Sequence, residues 1–174
     1  MGKRALIVID MLNDFVREGA PLEVPSTRKI IQAIKKEIDR AHREGEPVIF
    51  VCDAHEPNDS EFKRFGWPEH AVKGTLGAQV VDELKPGKDD IVVEKTTYSG
   101  FYNTKLQSTL ETLGVDTVRL TGCVTHICVL FTASDAVLRG YNVEVVKDAV
   151  AGLSDEDHEA GLRIMKNVLG AKIL

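Results

Sequence analysis

The sequence is poor in cysteine and lacks any long hydrophobic run. Its three cysteines, Cys52, Cys123 and Cys128, are an odd number without a CxxC spacing, so neither a disulfide framework nor a thiolate zinc site is indicated. The apolar run at residues 5–9 is interrupted by Asp10 and is shorter than the hydrophobic region of a signal peptide or a membrane span. We therefore expect a cytoplasmic protein with free thiols and no membrane partner.

A block of basic residues is also missing. Lys and Arg total 22 against 27 Asp and Glu, for a formal net charge of −5, which argues against a nucleic-acid partner. Hydrophobic residues make up 43% of the chain and charged residues 28%, a composition typical of globular proteins rather than disordered ones. At a length of 174 residues, we expect one domain that spans residues 1–174.

Short apolar, β-branched runs alternate with longer helical patterns along the chain. The runs at residues 5–9, 47–52, 90–94, 117–121, 143–146 and 171–174 are expected to be strands. Helices are expected from the cap Ser26 to Gly45, at 104–113, at 126–139 and from the cap Ser154 to just before Gly170, with a long loop at 54–77. The predicted fold is α/β: a single-domain, doubly wound (Rossmann-like), six-stranded parallel sheet with helices on both faces.

Ligands of such sheets bind at the carboxyl ends of the strands, where this chain carries reactive side chains. Asp10 follows the first strand, Lys95 follows the third, and Cys128 lies in the first turn of the helix expected after the fourth. A helix amino end should lower the pKa of a thiol, and a nucleophilic thiol needs a proton acceptor and benefits from a nearby cation. The alternative is that Cys128 is a small buried apolar residue and that Asp10 and Lys95 are structural or solvated.

A second set of residues has the composition of a metal site. Asp53 and His55 follow the second strand, and His70 comes later in the long loop. In an extended segment, positions i and i+2 share a face, so the first two side chains can converge on one ion while the loop returns the third. Two histidines and one carboxylate form metal sites with open positions, and Glu61 is a further candidate ligand. The alternative is a pair of surface histidines beside an Asp that caps a helix.

Aromatic residues make up only 6% of the chain, yet five of them lie in loops at the same predicted edge: Phe15, Trp67, Tyr98, Phe101 and Tyr102. They could form walls around a flat ring, or they could pack beneath the long loop.

The remaining histidines carry weaker signals. His126 lies two residues before Cys128 and is a candidate supporting or rim group, whereas His42 and His158 lie in charged helical stretches and are expected to be solvated.

Several of these residues lie in strings that point to one family. The strings are VIDMLNDF at 8–15, DAH at 53–55, WPEH at 67–70, GTLGA at 74–78, EK at 94–95, YSGF at 98–101 and TGCVTHICV at 121–129. In this order they resemble the nicotinamidases and pyrazinamidases of the isochorismatase-like cysteine hydrolase superfamily. The likeness runs from residue 5 to the C-terminus.

This resemblance implies a set of catalytic roles. Cys128 would be the nucleophile, Asp10 the general base and acid, and Lys95 the cation that holds the thiolate. The backbone N–H groups of Val124 and Cys128 would form the oxyanion hole, with a cis peptide bond between Cys123 and Val124. The reaction would convert nicotinamide, a small-molecule amide, to nicotinic acid and ammonia through a thioester, as part of NAD salvage.

The resemblance also implies one divalent metal ion, zinc or alternatively manganese or iron, at the two-histidine, one-carboxylate site. The ion would take the pyridine nitrogen of the substrate in an open position, with the ring between Phe15 and Trp67. One departure is that nicotinamidases often carry Asp where His126 stands.

Three alternatives stay open. Relatives that hydrolyse another small amide, such as an N-carbamoyl or ureido compound, usually lack the metal-site histidines, so metal bound at His55 and His70 would discriminate. A phosphoacceptor domain also places Asp and Lys at strand ends, but here Met11 rather than a second acid follows Asp10. A non-catalytic member of the superfamily would not need the intact catalytic set. Apolar surface on the helix expected at 126–139 is compatible with a homo-oligomer.

Overall fold

The computed structural model describes residues 2–174 and contains a sheet of six parallel strands. The strands are β1 (Lys3–Ile9), β2 (Val48–Asp53), β3 (Ile91–Lys95), β4 (Val115–Cys123), β5 (Asn142–Ala151) and β6 (Lys172–Ile173). They lie in the order β3-β2-β1-β4-β5-β6. This is the strand order of a doubly wound, Rossmann-like sheet, and the predicted fold class is confirmed.

Helices cover both faces of the sheet. They are α1 (Asn13–Val16), α2 (Thr27–Glu44), α3 (Ser60–Phe65), α4 (Leu106–Thr112), α5 (Leu130–Leu138) and α6 (Asp155–Asn167), with a 3-10 turn at Asp82–Leu84. Along β1, Ile7 and Ile9 pack in a core with α4, α5 and α6, whereas Leu6 and Val8 pack in a second core with α2. Since successive strand side chains point to opposite faces, a strand that is apolar on both faces needs helices on both.

Helix boundaries follow the predicted signals in part. Ser154 caps α6, because its hydroxyl oxygen accepts the N–H of Asp157 at 3.1 Å, as predicted. Gly45 ends α2 in a left-handed conformation with φ of 68°. Ser26 does not cap α2, which is a correction: its hydroxyl donates to the carbonyl oxygen of Gly152 at 2.7 Å instead.

Two segments differ from the predicted pattern. The helix expected at 126–139 is divided, because Thr125–Val129 form a wide turn and α5 begins only at Leu130. The loop expected at 54–77 contains α3, which Asp59 caps by accepting the N–H of Glu61 at 2.9 Å. A helix of six residues is too short for helical periodicity to be visible in the sequence. Among residues 2–174, none of the helices has the length and apolar character needed to cross a membrane.

Candidate active site

The site lies where β1 and β4 are neighbours, the point at which the strand order reverses. The two strands approach closely here: a Cβ atom on Gly122 would lie 2.0 Å from the carbonyl oxygen of Ile9. Directly after β1, Asp10 takes a positive φ of 51°, which is uncommon for a residue with a side chain and is concentrated at functional sites. Asp10 is 1% exposed, and its Oδ1 accepts the N–H of Asp53 at 2.8 Å. The reversal point therefore holds a buried, oriented carboxylate.

Lys95, at the end of β3, connects the predicted catalytic side chains. Its Nζ lies 2.8 Å from Asp10 Oδ2 and 3.5 Å from Cys128 Sγ, and it also donates to a carboxylate oxygen of Asp53. The Cys128 sulfur and one oxygen each of Asp10 and Asp53 lie within 4.8 Å of one another. The structure thus brings together the three side chains that the sequence places after β1, in β3 and after β4.

Burial and neighbouring charges together shift the pKa values of Asp10, Lys95 and Cys128. Burial and the charge of Asp53 raise the pKa of Asp10 to about 6, although Lys95 opposes this shift. Burial disfavours the ammonium of Lys95, but Asp10 and Asp53 hold its pKa well above the ordinary value. Burial also raises the pKa of the Cys128 thiol well above its ordinary value, against the opposing charge of Lys95.

The prediction that the pKa of Cys128 is lowered is therefore wrong, because burial outweighs the favourable helix end and the nearby cation. A protonated thiol must lose its proton before it can attack a carbonyl carbon. The Asp10 carboxylate is close enough to accept that proton, and its raised pKa makes it a better base than an ordinary carboxylate. The cluster is suited to nucleophilic catalysis by sulfur.

Asp53, His55 and His70 form a second buried cluster with the geometry of a metal site. Asp53 Oδ2 lies 3.8 Å from Nε2 of His55 and 3.9 Å from Nε2 of His70, and the three ligand atoms lie within 4.8 Å of one another. Zinc–ligand distances of about 2.0–2.2 Å place ligand atoms of one ion at separations of this size. The three residues fit a divalent ion.

Neighbouring groups orient both imidazoles. His55 Nδ1 lies 3.2 Å from Asp59 Oδ2, and His70 Nδ1 lies 2.7 Å from the carbonyl oxygen of Pro68. Metal-ligating histidines are characteristically held in this way through their second nitrogen. Burial lowers the pKa of His70, which favours the neutral form that binds metal. Phe62 of α3 packs against both rings, with centroid distances of 4.9 and 5.2 Å.

One cavity connects the two clusters. It contains about 440 Å³ of empty space, partly open to solvent. The Trp67 Nε1 donates to the Tyr98 hydroxyl at 3.2 Å in its wall, and apolar side chains form most of the rest. Such a cavity suits a small flat molecule that is oriented by few polar groups. Its lining is Phe15, Leu22, Val24, Asp53, Glu61, Trp67, His70, Tyr98, Val124, Ile127, Cys128 and Leu153.

Two predicted site residues are placed differently from the expectation. Tyr102 is 59% exposed and borders a separate surface groove beside Phe131. The ring of its neighbour Phe101 is buried in the core, and Tyr102 is left outside the cavity, so we remove it from the ring-binding set. Glu61 lines the cavity, but among residues 2–174 the ligand atoms that meet at the metal cluster do not include its carboxylate.

The apolar part of the lining was not predicted from the sequence. Leu22 and Val24 come from the segment between α1 and α2, and Leu153 comes from the segment after β5. Apolar residues in loops carry no chemical signal that separates a cavity wall from ordinary packing.

The turn that carries Cys128 has two further features. The peptide bond between Cys123 and Val124 is cis, which confirms the expectation from the resemblance, and both Val124 and Cys128 line the cavity. Their role as an oxyanion hole stays a prediction.

His158 is half-buried rather than solvated, since its Nδ1 lies 2.8 Å from Thr125 Oγ1; that expectation is wrong because α6 packs against the turn. His126 is not part of the cavity lining.

The chain is similar to known proteins along nearly its whole length. The sequence matches the family model of the isochorismatase domain over residues 4–173. Among curated proteins, a probable inactive nicotinamidase of Arabidopsis thaliana is 37% identical over 173 residues, which cover 94% of this chain and 88% of that protein.

Solved structures with the same fold belong to enzymes whose names refer to different amide substrates. A pyrazinamidase of Pyrococcus horikoshii in complex with zinc is 36% identical with a TM-score of 0.93, covering 99% of this chain and 98% of that one. An N-carbamoylsarcosine amidase of Thermoplasma acidophilum is 40% identical with a TM-score of 0.89, covering 98% of this chain and 95% of that one. The similarity alone therefore does not select one substrate.

Proposed function

The chain belongs to the isochorismatase family, and we propose that it is a nicotinamidase, a metal-containing cysteine hydrolase that converts nicotinamide to nicotinic acid and ammonia. One observation carries this proposal: the Cys128 thiol, which contacts Lys95, lines the same cavity as Asp53 and His70 of the metal cluster. The first cluster suits attack on a carboxamide carbon. The second suits an ion that orients a nitrogen-containing ring.

In the first half of the reaction, Asp10 accepts the proton of Cys128, and the sulfur attacks the carboxamide carbon. The carbonyl oxygen becomes an oxyanion, which the N–H groups of Val124 and Cys128 would stabilise. Loss of one such donor typically lowers the rate by about 10²–10³-fold. The C–N bond then breaks, the nitrogen takes the proton from Asp10, and ammonia leaves a thioester on Cys128.

In the second half, Asp10 acts again as a base. It takes a proton from a water molecule, whose oxygen attacks the thioester carbon. The C–S bond breaks, the proton returns to the sulfur, and nicotinic acid is released. Lys95 stays charged throughout and stabilises the thiolate and the carboxylate in turn, since it contacts both groups.

The remaining cavity residues would bind and orient the ring. Phe15, Trp67 and Tyr98 offer aromatic surfaces, and Phe15 also packs edge-on against the His70 imidazole at a centroid distance of 5.4 Å. When bound by Asp53, His55 and His70, a divalent ion would supply an open coordination position for the ring nitrogen. Zinc is the proposed ion, because the pyrazinamidase relative holds zinc and the imidazole and carboxylate ligands suit it.

The alternative is hydrolysis of another small amide, an N-carbamoyl or ureido compound. The similarity to the N-carbamoylsarcosine amidase favours it. The same thiol chemistry would operate, but an ion at the buried histidine pair would then have no pyridine-type ring nitrogen to orient.

The deciding experiment is an ammonia-release assay of the zinc-loaded protein with nicotinamide, pyrazinamide, N-carbamoylsarcosine and a ureido acid. We expect a higher kcat/KM for the two ring carboxamides, and a rise in KM for nicotinamide when the metal is removed with a chelator. Release of ammonia from N-carbamoylsarcosine but not from nicotinamide would overturn the proposal and support the alternative. Unchanged kinetics in metal-free protein would remove the metal from the proposal. A role in NAD salvage, a cytoplasmic location and homo-oligomerisation stay predictions.

A further inference from the structure

Helix α6 contacts the turn that carries the nucleophile through one polar side chain. His158, in the first turns of α6, places its Nδ1 2.8 Å from the hydroxyl oxygen of Thr125. Thr125 is fully buried, whereas His158 is half-buried at the surface of the helix. The interaction joins residues 33 positions apart in the chain. It therefore ties the turn to an element that does not itself line the cavity.

Gly161 allows α6 to come this close to the turn, and Gly152 allows the segment before α6 to pass close to His158. A Cβ atom on Gly161 would lie 3.0 Å from the Cα of His126, and one on Gly152 would lie 2.7 Å from the Cβ of His158. Glycine in a helix interior is destabilising relative to alanine, so Gly161 is unfavourable for α6 alone. Its placement is explained by the close packing of α6 against the turn.

The turn needs support of this kind because its backbone hydrogen bonds are irregular. The carbonyl oxygen of Val124 accepts both the N–H of Ile127 at 3.0 Å and the N–H of Val129 at 3.2 Å. A regular α-helix uses neither of these spacings. Thr125 lies in this turn between Val124 and Cys128, the two proposed oxyanion donors.

We propose that His158 is a positioning residue, which orients the oxyanion donors and the nucleophile through its hydrogen bond to Thr125. This inference rests on the proposed function for the roles of Val124 and Cys128. The proposed role would make His158, which lies outside the cavity, part of the catalytic apparatus. It would also explain why α6 packs against the turn. His158 does not contact the substrate, so it should affect the rate of the chemical steps and not the affinity for substrate.

The test compares matched variants in the zinc-loaded, full-length protein. His158→Ala removes the hydrogen bond, and His158→Asn keeps it, since the amide of Asn occupies nearly the position of Nδ1. Thr125→Val removes the hydroxyl without changing the side-chain shape, and Thr125→Ser keeps the hydroxyl. Glu159→Gln is the control on the same helix, where Glu159 forms an ion pair with Lys147 at the surface.

We expect His158→Ala and Thr125→Val each to lower kcat by about 10–10²-fold, less than complete loss of an oxyanion donor. KM should change by no more than about twofold, because an interaction used only in the transition state is lost. The conservative variants should recover most of kcat, and Glu159→Gln should match the wild type. The double variant His158→Ala, Thr125→Val should be no slower than either single variant, since both remove the same bond.

Hydrogen exchange of the peptide that covers residues 124–129 gives a readout that needs no substrate. We expect faster exchange in His158→Ala and near-normal exchange in His158→Asn. If the wild type hydrolyses a different amide, the proposed function fails, and the same variants are measured on that amide. The positioning role is overturned if His158→Ala keeps wild-type kcat, or if the losses of the two single variants multiply in the double variant.

Discussion

Two clusters of acidic and basic side chains lie at opposite edges of the sheet and differ in burial. The carboxyl-edge cluster consists of Asp10, Asp53 and Lys95, each at most 5% exposed. The amino-edge cluster joins the beginnings of the strands to α2, and its side chains are 11–50% exposed. Its members are Arg4, Arg40, Arg119, Glu37, Glu44, Glu46 and Glu144.

The two carboxylates of the carboxyl-edge cluster shift in opposite directions, because burial opposes ionisation of Asp53 but Lys95 and His55 hold its pKa below the ordinary value. Burial raises the pKa of Asp10 to about 6, because one ammonium must serve two buried acids. Burial also opposes ionisation of Glu46 and Glu144, but the surrounding arginines hold the pKa of both below the ordinary value. Buried ion clusters cost desolvation energy and are weak sources of stability. The carboxyl edge is therefore arranged for chemistry and the amino edge for stability, and four substitutions test this contrast.

The largest effect is expected at the nucleophile. Cys128→Ala should lower kcat by at least about 10³-fold, because no other group of the cluster can form the thioester. Nicotinamide binding, measured by calorimetry, should remain. Cys52→Ala is the matched control, since Cys52 is also a buried thiol but does not line the catalytic cavity, and it should keep most of kcat. An active Cys128→Ala enzyme would end the assignment.

Lys95→Met should damage both activity and stability. It leaves two carboxylates buried without their cation, and breaking a buried pair in this way costs about 3–5 kcal/mol. Urea unfolding at neutral pH measures the loss. Lys73→Met is the control, because Lys73 pairs with Glu94 at 2.8 Å on the surface, with both side chains 54% exposed. Lys73→Met should unfold at the same urea concentration as the wild type. Equal losses of stability in Lys95→Met and Lys73→Met would contradict the contrast between the buried and the exposed ion pair.

Asp59→Asn should weaken metal binding without unfolding α3. The Asn side chain can still accept the N–H of Glu61 as a helix cap, but it removes the carboxylate that holds His55 Nδ1. Loss of such a supporting group typically lowers metal affinity by about 10–100-fold, which a chelator competition titration would measure.

The control is Asp90→Asn. Asp90 forms the same kind of pair with His42 at 2.7 Å, but that histidine is exposed and far from the cavity. Zinc affinity should be unchanged in this variant. An equal loss in both variants would mean that the Asp59 contact has no specific role at the metal site.

The smallest effect is expected at the amino edge. Glu144→Gln should lower the free energy of unfolding by about 1 kcal/mol at pH 7, because it weakens charge-assisted hydrogen bonds with Arg4 and Arg119. The pKa of Glu144 is lowered in the folded state, so its contribution is complete above the unfolded pKa and is lost as the pH falls through the folded pKa.

Urea unfolding of the wild type and the variant at neutral and acidic pH checks this sign. The difference between the two proteins should shrink on acidification, and it should also shrink in high salt. A difference that grows as the pH falls would show that the shift has been assigned the wrong direction. Activity at neutral pH should not change.

Much of the fold could be predicted because local signals agree with the global arrangement. The β-branched runs of the strands are buried on both faces, as in β2, and such runs need no knowledge of their partners to be recognised. Asp10, Lys95 and Cys128 could be placed together because parallel strands end at one edge of the sheet. His55 and Asp53 could be paired because they are two positions apart in an extended segment.

The wrong predictions all depend on contacts between distant segments. The pKa of Cys128 is set by burial, which depends on helices from other parts of the chain. The position of Tyr102 depends on its neighbour Phe101 entering the core. His158 looks solvated in its local charged sequence, yet it meets Thr125 across 33 residues.

The order of residues along the chain was sufficient for the class of fold and for the edge of the sheet at which Asp10, Lys95 and Cys128 meet. These properties follow from hydrophobic periodicity and from the geometry of parallel strands, both of which are local or general. Only the folded structure decided the ionisation of the thiol, the composition of the cavity wall and the contact between α6 and the nucleophile turn. Those properties depend on burial and on distances of a few ångströms between segments far apart in the chain, and no local pattern encodes them.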